Sequence, residues 1–375
     1  MAGLGLVTAS GQTQDTSGNG LLKGNFEFRN VAIQAVDGNS NPTQVTATYG
    51  SIVFDGNGNY TITGTQVDNT VSGGSPQPFS TTGIYAIGAN GAGYVSSPLY
   101  SGANIDSYDY EYGAVSQGVF AGSATEAEGE GYVLNDTFIA IPVGSVPTNA
   151  SFTSAYQTGL LDFQGGGSTS IMNALFQLSP SGKGTFGTIT LNGQASNQTA
   201  ASVTQTISGG TYNFNSDGSA TLTIPLPTGV SSTNALFTGS KTIFESADGN
   251  FILGWTSTGY DIFFGVKALA SPATNSITQG LYFTAAVEDS PGASGSGVDS
   301  YYGGDSMAGD STGDVIIHAR LNFPNFLSYD FGTDDVIDLN SSGANTTPDY
   351  SGYLYLFGDA GKAFVGIGTG GNFSL

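Results

Sequence analysis

The sequence predicts an all-β protein built from three tandem antiparallel modules, on three observations. Alternating apolar runs recur along the chain, tight-turn residues separate them, and one hairpin figure occurs three times. The figure is clearest at residues 211–224 (TYNFNSDGSATLTI), where two alternating runs flank Asp217-Gly218. Asp-Gly readily supplies the positive φ angles of a tight turn, so this is a strong short-range signal. It occurs earlier at residues 83–95 around Asn90-Gly91, and later at residues 352–365 around Asp359 with one extra residue. No segment keeps a capped 3.6-residue apolar period, so little helix is expected.

The first copy opens at LLKGNFEF (residues 21–28) and continues into YGSIVFDGNGNYTITGT (residues 49–65), a hairpin with DGNG at its tip. A loop at residues 72–78 leads to the recurrent hairpin figure. An acidic, tyrosine-rich loop at residues 102–112 and strands at 119–123 and 136–141 complete the copy. Residues 143–154, with Pro147 in a Ser/Thr/Asn cluster, read as a linker. The second copy begins at GLLDF (159–163), repeats both hairpins, and ends in strands within 245–255 and 260–267. The third begins at GLYF (280–283) and carries a Gly/Ser-rich acidic insertion at 289–314. It then runs through strands at 315–320 and 329–339 to its hairpin, with no counterpart of the closing strands, so this module reads as incomplete or cut short.

Copy starts at Gly24, Gly159 and Gly280 lie roughly 120–135 residues apart, well beyond the ~20–50 of solenoid units and propeller blades. Consecutive local hairpins favour up-and-down, lipocalin-like barrels, because closure removes exposed edges. A β-sandwich is the alternative. The expected spans are 20–145, 155–268 and 276–375, preceded by a flexible terminus or signal remnant at 1–19.

Composition narrows the setting. Charged residues are only 10% of the chain, against about 25% in ordinary soluble domains. Its surface must therefore be solvated largely by hydroxyls and amides, as in many secreted β proteins. The 29 acidic and 7 basic residues give a net charge of −22, which repels phosphate backbones and anionic membranes. Nucleic-acid binding is excluded on that ground; cations, cationic partners and neutral sugars fit. Cysteine is absent, so disulfides and thiolate metal sites are excluded. No run of about 18 apolar residues occurs, so no helical transmembrane segment is expected.

Two tyrosine-carboxylate stretches stand out as ligand-binding candidates: Asp106, Tyr108, Asp109, Tyr110, Glu111 and Tyr112, and the pair Tyr301-Tyr302. Tyrosine rings stack on sugars while carboxylates accept hydroxyl hydrogen bonds, and tyrosine also suits protein interfaces. Strand-end tyrosines alternating between faces would give the same pattern. Asp305, Asp310 and Asp314 are the candidates for a hard cation such as calcium, which takes oxygen ligands. The DGNGN run at 55–59 lacks the downstream Glu of a calcium loop and reads as a turn. His318, the single histidine, reads as a strand residue. The GDSTG match at 309–313 lacks the strand-to-helix turn of a nucleophile elbow. No catalytic residues are assigned.

LLKGNFEF, GSIVFDGNGNYTITGT, FSTTGIYAIGANGAGYVSSPL and SADGNFILGW resemble a group of uncharacterised secreted proteins abundant in Acidobacteria, with tandem lipocalin-like β repeats. The resemblance spans most of residues 20–375. In that group the repeats often precede a separate C-terminal domain, which does not occur among these residues. The resemblance implies export and an extracellular or cell-surface location, and supplies no catalytic residue. The expected function is non-catalytic: surface structure, adhesion or glycan binding, through an extracellular glycan, a protein partner or self-association. A barrel holding a small apolar ligand and a polysaccharide hydrolase with a carboxylate pair are the alternatives.

Overall fold

The computed structural model describes residues 14–37, 41–99, 110–124, 134–167, 170–199, 202–270, 272–278, 280–289, 298–307, 314–322, 329–336, 339–345 and 353–375. For 301, 304–307, 314–322 and 329–336 it describes the backbone course alone. Apart from short 3-10 turns, the described elements are all strands.

Strands β1 (Lys23–Val36), β2 (Pro42–Asp55), β3 (Asn59–Asp68), β4 (Gln77–Ile87), β5 (Ala92–Ser96), β6 (Tyr110–Ser116), β7 (Val119–Ala124) and β8 (Asn135–Pro142) form a closed barrel in sequence order. Closure is the antiparallel pairing of β1 with β8, from Phe26↔Pro142 to Ile33↔Asn135. One end of the interior is filled by Phe26, Phe28, Phe54, Phe120 and Phe138, with Ile52, Ile62 and Ile87 among them. Edge-to-face contact of Phe26 and Phe54 (5.1 Å) and stacking of Phe28 on Phe138 (5.5 Å) show packed side chains rather than a lumen.

The second module comprises β9 (Tyr156–Phe163), β10 (Ile171–Leu178), β11 (Ile189–Ala195), β12 (Val203–Ile207), β13 (Thr211–Phe214), β14 (Ser219–Ile224), β15 (Gly239–Glu245), β16 (Phe251–Trp255) and β17 (Asp261–Lys267). They make one curled sheet in which β9 pairs with β17, as β1 does with β8, and whose two edges are β12 and β13. Its inner face is packed by Phe176, Phe186, Phe237, Phe263 and their aliphatic neighbours.

The third module contains β18 (Gly280–Asp289), β19 (Val298–Met307), β20 (Asp314–Asn322) and β21 (Tyr329–Val336) in one sheet, with the short β24 (Phe373–Ser374) on the far side of β18. A separate hairpin is made by β22 (Tyr353–Gly358) and β23 (Ala363–Gly368). Strand β19 lies within the stretch read from sequence as an insertion. Its run of Gly, Ser and Asp gives weak β propensity, and pairing on both sides supplies what propensity lacks. Tyr110 to Tyr112 likewise belong to strand β6 rather than to a loop.

The recurrent hairpins are β13–β14, β4–β5 and β22–β23, as their turn residues predict. Only the glycine takes positive φ in the first two tips, Gly218 at 91° and Gly91 at 88°. The third tip places Asp359, Ala360 and Gly361 all in the left-handed region, at 45°, 57° and 85°. The Tyr282 hydroxyl donates to the Gly361 carbonyl and pins that tip.

The three modules share a core. Val31, Val45 and Ala47 from the barrel's outer face pack with Leu161, Trp255 and Ile262 of the second module and Val287, Val365 and Phe373 of the third. Within this interface lies a buried charge cluster. Arg29 of β1 donates from Nε to the Asp261 carbonyl and from Nη2 to the Gly259 carbonyl, both at 2.8 Å. Its guanidinium stands 3.8 Å from the Asp261 carboxylate and 5.5 Å from the Tyr49 ring centre. Lys241 Nζ donates to Asp261 Oδ2 at 2.8 Å, and the Thr256 amide donates to Oδ1 at 2.7 Å. Burial opposes ionisation of Asp261, but Lys241 and Arg29 outweigh it and hold its carboxyl below the usual range. Asp162 stands directly opposite Asp261 in the β9–β17 register. Burial and that neighbouring carboxylate push its pKa up to about 7.

Removing one partner of a buried, hydrogen-bonded pair strands the other, typically at about 3–5 kcal/mol. Arg29→Met is therefore expected to destabilise the chain by about that amount in urea denaturation, and Arg29→Lys to recover only part of it because lysine cannot fork to two carbonyls. A loss below ~1 kcal/mol would show that the cluster does not hold the modules together.

Candidate ligand-binding site

Tyr94 on β5 and Tyr112 on β6 are register partners, and Tyr110 lies two residues along β6 on the same outward face. The rings of Tyr94 and Tyr110 are 4.1 Å apart, and Tyr110 meets Tyr112 edge-on at 6.0 Å. Tyr112 then stacks on Tyr302 of β19 at 5.4 Å and 17°, and Tyr302 on Phe283 of β18 at 6.2 Å and 18°. Five half-buried rings thus form a continuous row from the barrel onto the third module. Two stretches about 190 residues apart in sequence supply it, since strand alternation selects Tyr110 and Tyr112 and the packing of β18 and β19 on β6 and β7 brings Tyr302 alongside.

Phe283 also lines a cleft of about 370 Å³ where the three modules meet. Its walls include Val115, Val119 and Ile139 of the barrel, Phe251 and Phe264 of the second sheet, and Tyr353, Tyr355 and Phe364 of the third module. Among the described residues lining it, Lys362 is the one with a charged side chain, and no Asp or Glu is among them.

Alternation separates Glu111 from its tyrosine neighbours. It points into the barrel, fully buried, and is hydrogen-bonded to Asp136 on β8. Asp136 also accepts from the Ala124 amide (2.6 Å) and Asn30 Nδ2 (2.7 Å). Burial raises the pKa of Asp136, with Glu111 and the Ala124 amide pulling the other way, so the pair is suited to share a proton. Tyr301 lies on β19 opposite Leu321 and Ala286. Asp106, Tyr108 and Asp109 lie outside the described residues.

Of the cation candidates, Asp305 lies on β19 opposite Tyr282 and Ile317, and Asp314 opens β20 opposite Val336; Asp310 lies outside the described residues. Among the described residues no group of three His, Asp or Glu side chains could hold a metal ion. His318 is a strand residue, opposite Gly304 and Gly332, and Ser311 lies outside the described residues.

A further acidic group escaped sequence reasoning. Glu288 of β18 and Asp299 of β19 are direct register partners and hydrogen-bonded to each other. The Tyr353 hydroxyl and Asn372 Nδ2 donate to Glu288 Oε2, the latter at 3.1 Å. Burial, then Glu288, raises the Asp299 pKa well above the carboxylate range. Asp289 is fully buried with neither oxygen hydrogen-bonded among the described residues, and burial followed by Glu288 pushes its pKa up to about 8. Nothing in the local sequence announces this group, because cross-strand register creates it.

A scan against known protein-family models finds no match to the chain, and a search among curated proteins finds none. No helix among the described residues is long and apolar enough to cross a membrane.

The raised carboxyl values fix a pH dependence. Protonated Asp289 is favoured by the folded state, so its stabilisation is complete below the unfolded value of about 4. It is lost as pH rises through about 8. Asp162 and Glu27, each at about 7, act in the same direction. The melting temperature is expected to fall between pH 4 and pH 8 by differential scanning calorimetry. Asp289→Asn should flatten that decline, and an unchanged slope would refute the assignment.

Proposed function

We propose that this chain is a non-catalytic extracellular or cell-surface binding protein that holds a glycan against the tyrosine row. The observation that carries the reading is the continuous series Tyr94, Tyr110, Tyr112, Tyr302 and Phe283, shared between two modules and partly open to solvent. Pyranose rings present apolar C–H faces that lie flat on aromatic rings, and phenol hydroxyls exchange hydrogen bonds with sugar hydroxyls. Burial and the adjoining Tyr110 raise the Tyr94 pKa, so its hydroxyl keeps its proton and can donate.

Two further features favour binding over hydrolysis. Among the described residues no Asp or Glu lines the adjoining cleft, whereas hydrolysis of a glycosidic bond needs an acid and a base or nucleophile flanking the substrate. The carboxyl pairs Glu111–Asp136 and Glu288–Asp299 are hydrogen-bonded within themselves and lie off that lining. Low charge and the resemblance to exported β-repeat proteins fit the same reading. A role in adhesion follows if the glycan belongs to a surface.

Glycan-array screening of the purified chain, with and without calcium, tests the proposal. Any hit should weaken about tenfold, ~1.4 kcal/mol, in Tyr112→Ala and again in Tyr302→Ala. Absence of any hit at high protein concentration, or hits indifferent to both substitutions, would sink it.

A further inference from the structure

A row of four polar side chains crosses one face of the second sheet: Lys241 on β15, Thr256 just past β16, Asp261 opening β17 and Asp162 on β9. Strand alternation puts them on the face of Ile243, Phe263 and Leu160, each two residues away in the inner core. Lys241 Nζ donates to Thr256 Oγ1 at 2.7 Å and to Asp261 Oδ2 at 2.8 Å, and Thr256 Oγ1 donates to the same Oδ2 at 2.8 Å. Asp162 is the register partner of Asp261, and such partners hold their Cβ atoms about 4.5–5.5 Å apart. Solvent is shut out, with the Lys241 side chain 7% exposed and that of Asp261 1%. The ammonium lies 5.5 Å from the centre of the Phe237 ring, which meets Phe263 edge-on.

The two oxygens of Asp261 have different surroundings. Oδ1 accepts from the Thr256 amide at 2.7 Å and faces Arg29 Nη2 at 3.8 Å. A donor and a cation so placed stabilise negative charge developing on that oxygen, as an oxyanion hole does. Oδ2 instead meets the amine and the hydroxyl, both of which carry protons. Hydrogen bonding to Oδ2 leaves Nζ one bond length beyond contact with the carboxyl carbon, and burial holds it there. Fixed proximity of this kind is worth many orders of magnitude in rate over free reactants. Exclusion of water favours condensation over its reversal by hydrolysis.

We propose that the folded chain condenses Lys241 with Asp261 into an amide, a covalent tie between β15 and β17, with Asp162 as the proton relay. Burial works against both charges, but their mutual attraction outweighs it and keeps the resting pair ionised, so neutralisation starts the reaction. Burial and the Asp261 charge bring Asp162 to about 7, the range in which a carboxyl both gives and takes protons near neutral pH. Asp162 protonates Oδ2 and receives a proton from Nζ, leaving a neutral amine and acid. The nitrogen lone pair then bonds to Cγ, charge collects on Oδ1, and its collapse breaks the Cγ–Oδ2 bond. Two protons leave the nitrogen and both end on Oδ2, which departs as water. No oxidant, reductant or further reactant is consumed, and Asp162 finishes as it began. The Arg29 bonds to the Asp261 and Gly259 carbonyls are untouched. The tie joins residues 20 apart, around β16, in a chain that has no cysteine to do so. It is independent of the tyrosine row, which lies on other strands.

The test is the intact mass of the full chain under denaturing conditions. The chain should be lighter than its sequence by one water, about 18 Da, and digestion should yield a branched peptide joining the segments around Lys241 and Asp261. Lys241→Arg keeps the charge but supplies no amine nucleophile, and should show the full mass. Asp162→Asn keeps the side-chain size but not the transferable proton. The linked fraction at equal times after induction should then build up at least about tenfold more slowly than in wild type. The wild-type measurement stands whether or not either variant folds. An unaltered mass after prolonged incubation of the folded protein overturns the proposal. So does a water loss that persists in Lys241→Arg, or one that maps to an Asp-Gly step such as Asp217-Gly218, where a succinimide loses the same water and leaves Lys241 free. Linking of Asp162→Asn at the wild-type rate would overturn the relay.

Discussion

A β-sheet has two edges, and the architecture of this molecule is organised by how each is covered. Unpaired strand edges carry rows of hydrogen-bonding groups that must find a partner or water. The first module covers them by closing on itself through β1 and β8. The second joins its first and last strands and leaves its open edges, β12 and β13, elsewhere on the curl. The third pairs β18 with β24 at two positions, and among the described residues the rest of that edge, which lines the three-module cleft, has no strand partner. One constraint thus accounts for the barrel, the half-barrel and the opening between them.

The second organising force is apolar burial on the outer faces. A free-standing barrel in water shows polar residues outside, yet Val31, Val45 and Ala47 project outward here and are fully buried against the neighbouring modules. The Arg29–Asp261–Lys241 cluster lies within this interface. Hydrogen bonds from Nε and Nη2 to two carbonyls of the second module fix the guanidinium, so its geometry dictates how the first sheet sits on the second. Such clusters are better at selecting one arrangement than at adding stability, since desolvation offsets much of their attraction.

Much of the fold was legible because hairpins are local. Asp217-Gly218 and Asn90-Gly91 announce their turns within a few residues, and the spacing of three similar starts announces modules. What was hidden is non-local or compositionally disguised. Strand β19 reads as a Gly/Ser insertion because pairing, not propensity, holds it extended. The Tyr110 and Tyr112 side chains were recognisable as ligand-type residues, but their alignment with Tyr302 depends on how separate sheets pack. Glu111 shared their sequence context, and alternation alone sends it inward to Asp136. The Glu288–Asp299 pair exists only in the register of two strands. Arg29 did leave a trace, as a lone cation amid the apolar residues of FEFRNVAI, without indicating the Asp261 it would meet far along the chain.

The Arg29–Asp261–Lys241 cluster also draws two of the chain's seven basic residues into the interior. Proteases that cleave after lysine or arginine therefore find few targets along 375 residues, and at Arg29 and Lys241 they must first pry modules apart. The same burial that aligns the modules makes the folded chain a poor meal for trypsin-like enzymes.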